Sequence, residues 1–412
     1  MKRFRKIGEQ MVETILKLSG GITTLVIFLI ILFLFKEGIG LFNNPNIEKG
    51  YVLCVNSSNM VEKLTPHQIK QIFDSEITNW KEVGGADSEI MLFRFDEIFN
   101  LYSDEELGEN YTLLPQKLSE IIAQNPNIIA FLPEKYILME NGERFNSQFS
   151  IGFAELKVLN SQFIALSDFF GGKEWLPTAT PAAQFGVLPL ILGTLWVSVF
   201  AILIALPLGL GVAIYLSELA GNRIRKLLKP TIELLAGIPS VVYGFFGLAV
   251  VVPLIQKTGH LPVGETALAG SLILAVMALP TIITLAEDAM RNTPRAMREA
   301  GLALGATQWQ TIYKVVIPYA ASGITAAVVL GIGRAIGETM AVLMVTGNAA
   351  VMPHSLFEPV RTIPATIAAE LGEAPAGGTH YQALFLLGCI LFVITMIISI
   401  SAEMISKKQN VN

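Results

Sequence analysis

The chain has 412 residues, of which 52% are hydrophobic and only 15% charged, with a mean hydropathy of +0.55 and a formal net charge of −5. That balance is too apolar and too charge-poor for an ordinary soluble enzyme and predicts a polytopic membrane protein. Two cysteines, Cys54 and Cys389, and four histidines, His67, His260, His354 and His380, are too scattered to suggest a bridge, a metal site or a redox centre.

Residues 1–42 read as a basic cytoplasmic N-terminus, with Lys2, Arg3, Arg5, Lys6 and Lys17, followed by a first apolar run from Leu18 to Phe35. The run is close to the roughly 20 residues that cross hydrocarbon. No A-x-A site follows it, so an uncleaved anchor is expected.

Residues 43–165 form a soluble insert of different composition. It holds 9 Lys and Arg against 18 Asp and Glu, a net of −9, leaving 20 against 16 for the rest of the chain. Its pattern is mixed α/β. Tyr51 to Val55 and Asn127 to Leu132 read as buried strands, and Thr65 caps a helix from Pro66 to Phe73 with proline at the first position. Val83-Gly84-Gly85 marks a turn. Residues 166–184 read as a linker, with Thr178 to Pro181 as a stiff lead-in to the next span.

Five further apolar runs follow within residues 185–405: Phe185 to Tyr215, Leu234 to Gln256, Thr266 to Ala286, Val315 to about Val345, and Tyr381 to Ala402. Residues 406–412 form a cytoplasmic tail. Basic residues accumulate at one set of flanks, namely Arg223, Arg225, Lys226 and Lys229, then Arg291, Arg295, Arg298 and Lys314, then Lys407 and Lys408. The positive-inside rule therefore puts both termini in the cytoplasm of an inner (plasma) membrane and the insert outside it.

Nominal nucleotide motifs fail on context. Gly259 to Thr266 has the glycine spacing of a phosphate loop, but Glu265 stands where lysine is required. Gly331, Gly333 and Gly337 lie in an apolar run, where small residues permit close helix packing. Asn56-Ser57-Ser58 and Asn110-Tyr111-Thr112 are formal glycosylation acceptors with no meaning in a bacterium. No cofactor, metal or nucleic-acid site is expected, and no nucleophile–base pair that would make the chain an enzyme.

The fifth run is the only one interrupted by charge, at Arg334 and Glu338. A charge at membrane depth costs on the order of 3 kcal/mol on insertion scales, so both should face the interior and find partners. One turn apart, they can neutralise each other and lock the helix. Alternatively Arg334 offers a guanidinium fork to a tetrahedral oxyanion, with Glu338 holding it at rest. Pro207, Pro239 and Pro280 are expected to break their helices, either lining a path or serving packing alone.

Between the fourth and fifth runs, in a loop spanning 287–318, stand Glu299, Ala300, Gly301, then Gly305, then after nine residues Val315-Val316-Ile317-Pro318. This resembles the E-A-A-x3-G-x9-I-x-L-P loop of ABC importer permeases, with Gly301, Val315 and Ile317 as mild departures. The runs Ala205 to Glu218, Ile232 to Gly244, Gly333 to Asn348 and Ala365 to Ala374 are similar to phosphate ABC permeases, more of the PstC type than of the PstA type. The resemblance implies an all-α polytopic fold of six transmembrane helices, with the α/β insert added. It implies that this loop forms a short helix docked on an ATP-binding subunit, with Glu299, Ala300, Gly301, Gly305 and Pro318 as the coupling residues and Glu299, Ala300 and Gly305 marking the docking surface.

The partners it implies are a second permease of the PstA type, two copies of the ATP-binding subunit, which would hydrolyse ATP, and an extracytoplasmic phosphate-binding protein. Phosphate would be the cargo and membrane lipid the surroundings. Permeation of another oxyanion, molybdate or sulfate, or a phosphate-sensing scaffold are the alternatives. Residues 64–73 and 77–85 of the insert resemble a segment of phosphate-binding proteins. With room for one lobe and a charge of −9, the insert is expected to fold without binding phosphate, as a docking or gating element or as a neutral spacer.

Overall fold

In hydrocarbon a backbone can satisfy its polar groups only within helices or closed barrels, and this sequence takes the helical solution six times. The computed structural model describes residues 2–44, 47–48, 50–108, 111–136, 156–161 and 163–409. The Asn110 acceptor lies outside the described residues. Helices long and apolar enough to span are Glu13–Asn43, Leu188–Leu219, Ser240–Gly259, Ala267–Arg291, Gln308–Ile336 and Thr379–Ser401. The chain divides into two compact units, one of residues Met1–Gly38 with Val187–Asn412, the other Ile39–Gly186.

In the membrane unit the fourth span is central, and its neighbours are fitted to it through small residues. A side chain at Gly209 of the second span would lie 2.9 Å from Ile282 Cγ2, and one at Gly331 of the fifth would lie 2.8 Å from Ile282 Cγ1. Gly331 thus has the packing role expected of it, whereas Gly333 meets nothing within 4 Å. The first span packs on the sixth through an edge-on contact of Phe33 with Phe385, their ring centroids 5.5 Å apart.

Three expectations about the spans are corrected. Pro207 and Pro280 do not break their helices but lie inside Leu188–Ile214 and Ala267–Arg291. Each removes one backbone donor from a long helix that its packed neighbours hold together. Pro239 does interrupt, so the third span begins at Ser240. The residues before it, Asn222–Ala236, form a separate amphipathic helix with no buried residue. The fifth apolar run is not one helix to Val345: it ends at Ile336, and a short helix Met340–Val345 follows. Wide π turns at Gly247–Val251 and Ile312–Val316 each run into a proline two residues on, Pro253 and Pro318. A ring with no N–H displaces the turn before it.

The second unit is α/β, as its sequence pattern predicts. Its sheet has the order Met91–Arg94, Ile128–Pro133, Tyr51–Asn56, Leu156–Val158. The first pair is parallel, and the central pair is antiparallel with Leu53 opposite Phe131 and Cys54 opposite Ala130. Both central strands are buried on both faces, which is why they read as continuous apolar runs. Leu53, Val55, Ile129 and Phe131 meet the helix Pro66–Phe73 and Trp80 on one side. Cys54, Ala130 and Leu132 meet the helix Leu114–Gln124 on the other. Thr65 and Gln68 close a reciprocal cap on Pro66–Phe73.

Residues 166–184, expected as a linker, fold into this unit instead. Gln184 Nε2 donates to the Pro66 carbonyl at 2.9 Å, Lys70 pairs with Glu174 at 3.3 Å, and Trp175–Leu176 pairs with Gln184–Phe185. The composition of the stretch did not reveal the contacts to Pro66 and Lys70, because these join it to residues distant in sequence.

Candidate functional site

Arg334 stands in the last turn of the helix Ile317–Ile336, where the negative end of the helix dipole favours a cation. The helix stops because glycines at 331, 333 and 337 weaken it by up to about 1 kcal/mol each relative to alanine. Glu338 falls beyond that end, with its backbone N–H on the Ala335 carbonyl at 3.4 Å. The one-turn pairing expected of Arg334 and Glu338 is therefore not formed, because no continuous helix carries them past each other. Arg334 Nη1 instead donates to Thr281 Oγ1 of the fourth span at 3.3 Å. Among the described residues this is the one hydrogen bond of the Arg334 side chain, and the Glu338 carboxylate makes none. Both side chains are half-buried.

Tyr243, buried on the third span, donates its hydroxyl proton to the Leu235 carbonyl at 2.8 Å. Beside the break lies a mostly apolar cavity of about 510 Å³, lined by Gly337, Thr339, Pro364, Ile367, Leu371 and Leu391. Neither Arg334 nor Glu338 lines that cavity, and both keep hydrogen-bonding capacity that the described residues do not use.

The loop between the fourth and fifth spans has the opposite character. The helix Arg295–Ala303 has no buried residue, and Glu299, Ala300 and Gly305 are exposed, with Leu304 at 89% and Trp309 at 62%. Gly301 is half-buried, and a Cβ there would lie 3.2 Å from Thr311 Oγ1. Gly305 has φ +83°, open space where a side chain would go, and donates its N–H to the Leu302 carbonyl. It is needed for the left-handed turn that ends the helix. Pro318 begins the helix that carries Arg334, after the π turn.

Behind this loop the ionic groups are saturated. Arg298 grips Glu218 through both carboxylate oxygens, at 2.8 and 3.2 Å, and donates to the carbonyls of Met290 and Thr293 at 2.8 and 2.7 Å. Glu287, only 1% exposed, accepts from Lys229 at 2.5 Å and from Arg291 at 3.3 Å. Lys229 also reaches Asp288 at 2.9 Å. Burial disfavours the Lys229 ammonium, yet its hydrogen bonds to Glu287 and Asp288 outweigh that and hold its pKa above the ordinary lysine value.

The sequence profile of the binding-protein-dependent transport system inner membrane component family matches residues 205–411. The chain belongs to that family. It is 42% identical over 244 residues to the Probable ABC transporter permease protein YqgH of Bacillus subtilis, covering 59% of this chain and 79% of the relative. It is 41% identical over 249 residues to the Phosphate transport system permease protein PstC of Mesorhizobium japonicum, covering 56% and 75%. It is 39% identical over 262 residues to the PstC of Haemophilus influenzae, covering 58% and 82%. The chain is thus a multi-pass transmembrane permease of the ABC importer type.

Of the residues singled out in the permease sequence, Glu299, Ala300, Gly301 and Gly305 lie together on the loop helix or its closing turn. Arg334 and Glu338 lie at the other end of the fifth span. Sequence reasoning did not find Thr281, Tyr243, Glu218 or Glu287 as functional partners. Glu218 carried a signal: it is the first charge after the long uncharged tract of the second span, and basic flanks surround it. Thr281 and Tyr243 carried none, being ordinary residues of apolar runs.

A third polar cluster lies after the fifth span. Arg361 pairs with Glu370 at 2.6 Å and donates through Nε to the Asn348 carbonyl at 3.0 Å, while His380 Nε2 sits 2.9 Å from the other Glu370 oxygen. It ties the helix Ile363–Glu370 to the start of the sixth span.

Proposed function

We propose that this permease carries inorganic phosphate across the membrane as one of two pore-forming subunits of an ATP-driven importer. The supporting observation is Arg334: a guanidinium at membrane depth that spends one N–H on Thr281 and leaves the rest of its fork for a tetrahedral oxyanion. PstC relatives favour phosphate as that oxyanion. Glu338, free of partners, would exchange with the anion at Arg334 as the path opens.

The exposed loop helix around Glu299, Ala300 and Gly305 would dock on one of two ATP-binding subunits, which hydrolyse ATP. A second permease of the PstA type would complete the path, and an extracytoplasmic phosphate-binding protein would deliver the cargo. Both termini would be cytoplasmic and the Ile39–Gly186 unit extracytoplasmic. That unit holds a cavity of about 470 Å³, in which the carboxylates of Asp168 and Glu174 offset Lys173 and His67. This lining and the surplus of acidic residues favour a docking or gating role over phosphate capture.

The test is phosphate import by the full set of subunits in sealed vesicles with ATP inside the lumen equivalent to cytoplasm. ATP-dependent uptake resistant to excess sulfate or molybdate supports the reading, and uptake abolished by either competitor assigns the path to another oxyanion.

A further inference from the structure

One ionic side chain ties three helices together. Arg298, on the exposed helix Arg295–Ala303, uses four of its five N–H donors on groups from two other elements. Nε and one Nη2 hydrogen go to the two oxygens of Glu218, in the wide last turn Tyr215–Leu219 of the second span. The other Nη2 hydrogen and one from Nη1 go to the carbonyls of Met290 and Thr293, at the end of the fourth span and just past it. The Glu218 backbone carbonyl is held in turn by Gln308 Nε2 at 3.2 Å, from the far side of the same loop. The pair is mostly buried, with Arg298 at 22% and Glu218 at 10% exposure.

The chemistry needs arginine. The last carbonyls of a helix have no intrahelical partner, and a cation there is favoured by the dipole. An ammonium could satisfy these carbonyls or the carboxylate. It could not meet two carboxylate oxygens and two carbonyls lying in different directions, which the planar fork does.

We propose that Arg298 is the joint through which movement of the loop helix enters the membrane: a positioning residue that makes this helix and the inner ends of spans two and four one rigid body. The proposal rests on the reading above, in which the loop helix docks on an ATP-binding subunit. With the joint closed, a push on the helix cannot be absorbed by tilting and must displace span four. Thr281, the partner of Arg334, stands nine residues before Met290 on that same span, about 13 Å along a helix at 1.5 Å per residue. ATP-driven displacement at Arg298 is thereby delivered to the residue that holds the anion-binding guanidinium.

The experiment uses the complete complex in vesicles and measures ATP hydrolysed and phosphate imported in parallel. Arg298→Lys keeps the charge and loses the fork. The expected result is an assembled complex that hydrolyses ATP but imports at least about tenfold less phosphate per ATP, the scale of one lost charge-assisted hydrogen bond. Reversing the pair, with Glu218→Arg and Arg298→Glu together, should not rescue, since the Met290 and Thr293 carbonyls would then face a carboxylate. Wild-type phosphate per ATP in Arg298→Lys, or rescue by the reversed pair, overturns the proposal.

A second arm does not depend on how well those variants assemble. Glu218→Cys with Arg298→Cys, in a chain carrying Cys54→Ala and Cys389→Ala, is compared before and after joining by a short bis-maleimide. Joining restores the tie to span two but not the guanidinium's bonds to the Met290 and Thr293 carbonyls, so import per ATP is expected to stay below wild type, and full recovery on joining overturns the joint to span four. A wild-type complex that hydrolyses ATP without importing phosphate overturns the transport reading itself and the joint with it.

Discussion

The two ends of the fifth span's neighbourhood treat charge in opposite ways. At the loop end, Glu218, Glu287, Lys229 and Arg298 are paired several times over, and Glu287 is buried almost completely among cations. At the Arg334 end, a guanidinium keeps one long hydrogen bond and a half-buried carboxylate keeps none. A buried charge without partners is costly, so a protein tolerates it where something else will pair with it. In the proposed function the saturated cluster is a brace and the unsaturated one a place for a ligand, although both consist of the same residue types.

The sharpest way to break this contrast is Arg334→Gln. Glutamine keeps a polar amide but loses the charge and the fork. Forfeiting two charge-assisted hydrogen bonds to an oxyanion, at about 1.5 kcal/mol or more each, should cut phosphate import by about 100-fold or more. Co-purification with partner subunits should be unchanged, since Arg334 braces nothing but Thr281. Retained import would demote Arg334 to a structural charge.

Glu287→Gln should do the reverse. Removing one partner of a buried ionic cluster costs about 3 kcal/mol, here by leaving Lys229 and Arg291 without their shared carboxylate. The expected outcome is a lower thermal unfolding temperature and less folded protein, with import per folded complex close to wild type. Loss of import from a complex of normal stability would move Glu287 from the brace to the path.

Much of the fold was legible because membrane spans are read by summed hydropathy over some 20 residues, and apolar runs such as 266–286 satisfy it without regard to context. The strands of the α/β unit were legible for a similar reason, being buried on both faces. The break at Gly337 was not, since the apolar run resumes at Met340 beyond Glu338 and Thr339 and only the three glycines hint at it. The candidate site was half legible. Arg334 and Glu338 announce themselves as charges in an apolar run, but whether they pair depends on a helix end that their spacing does not encode. Arg298 and Glu218 lie 80 residues apart, and only packing of the second, fourth and loop helices brings them together.

Gly305→Ala tests how firmly the braced loop is shaped. At φ +83° an L-residue is strained by about 1–2 kcal/mol, while the open space around Gly305 rules out a clash. Weaker retention of the ATP-binding subunits by a few-fold is expected, with unchanged insertion and unchanged anion selectivity. Gly305→Leu should add the bulk of its side chain at the exposed docking face and weaken retention further. Equal retention in wild type, alanine and leucine variants would remove this turn from the contact.

The smallest expected effect probes the single contact that the open site does make. Thr281→Val is nearly isosteric and removes the oxygen that accepts from Arg334 Nη1. The guanidinium keeps its charge and its other donors, so only its aim suffers. One hydrogen bond of this length is worth about 0.5–1.5 kcal/mol, and import should fall by about threefold, with normal assembly. Thr281→Ser keeps the hydroxyl and should transport like wild type, which a packing role for the threonine methyl would not allow. If the valine variant loses as much import as Arg334→Gln, Thr281 belongs to the ligand-binding machinery itself. If valine and serine both match wild type, the packing of the fifth span alone holds Arg334 in place, and the open site is held more rigidly than its one hydrogen bond suggests.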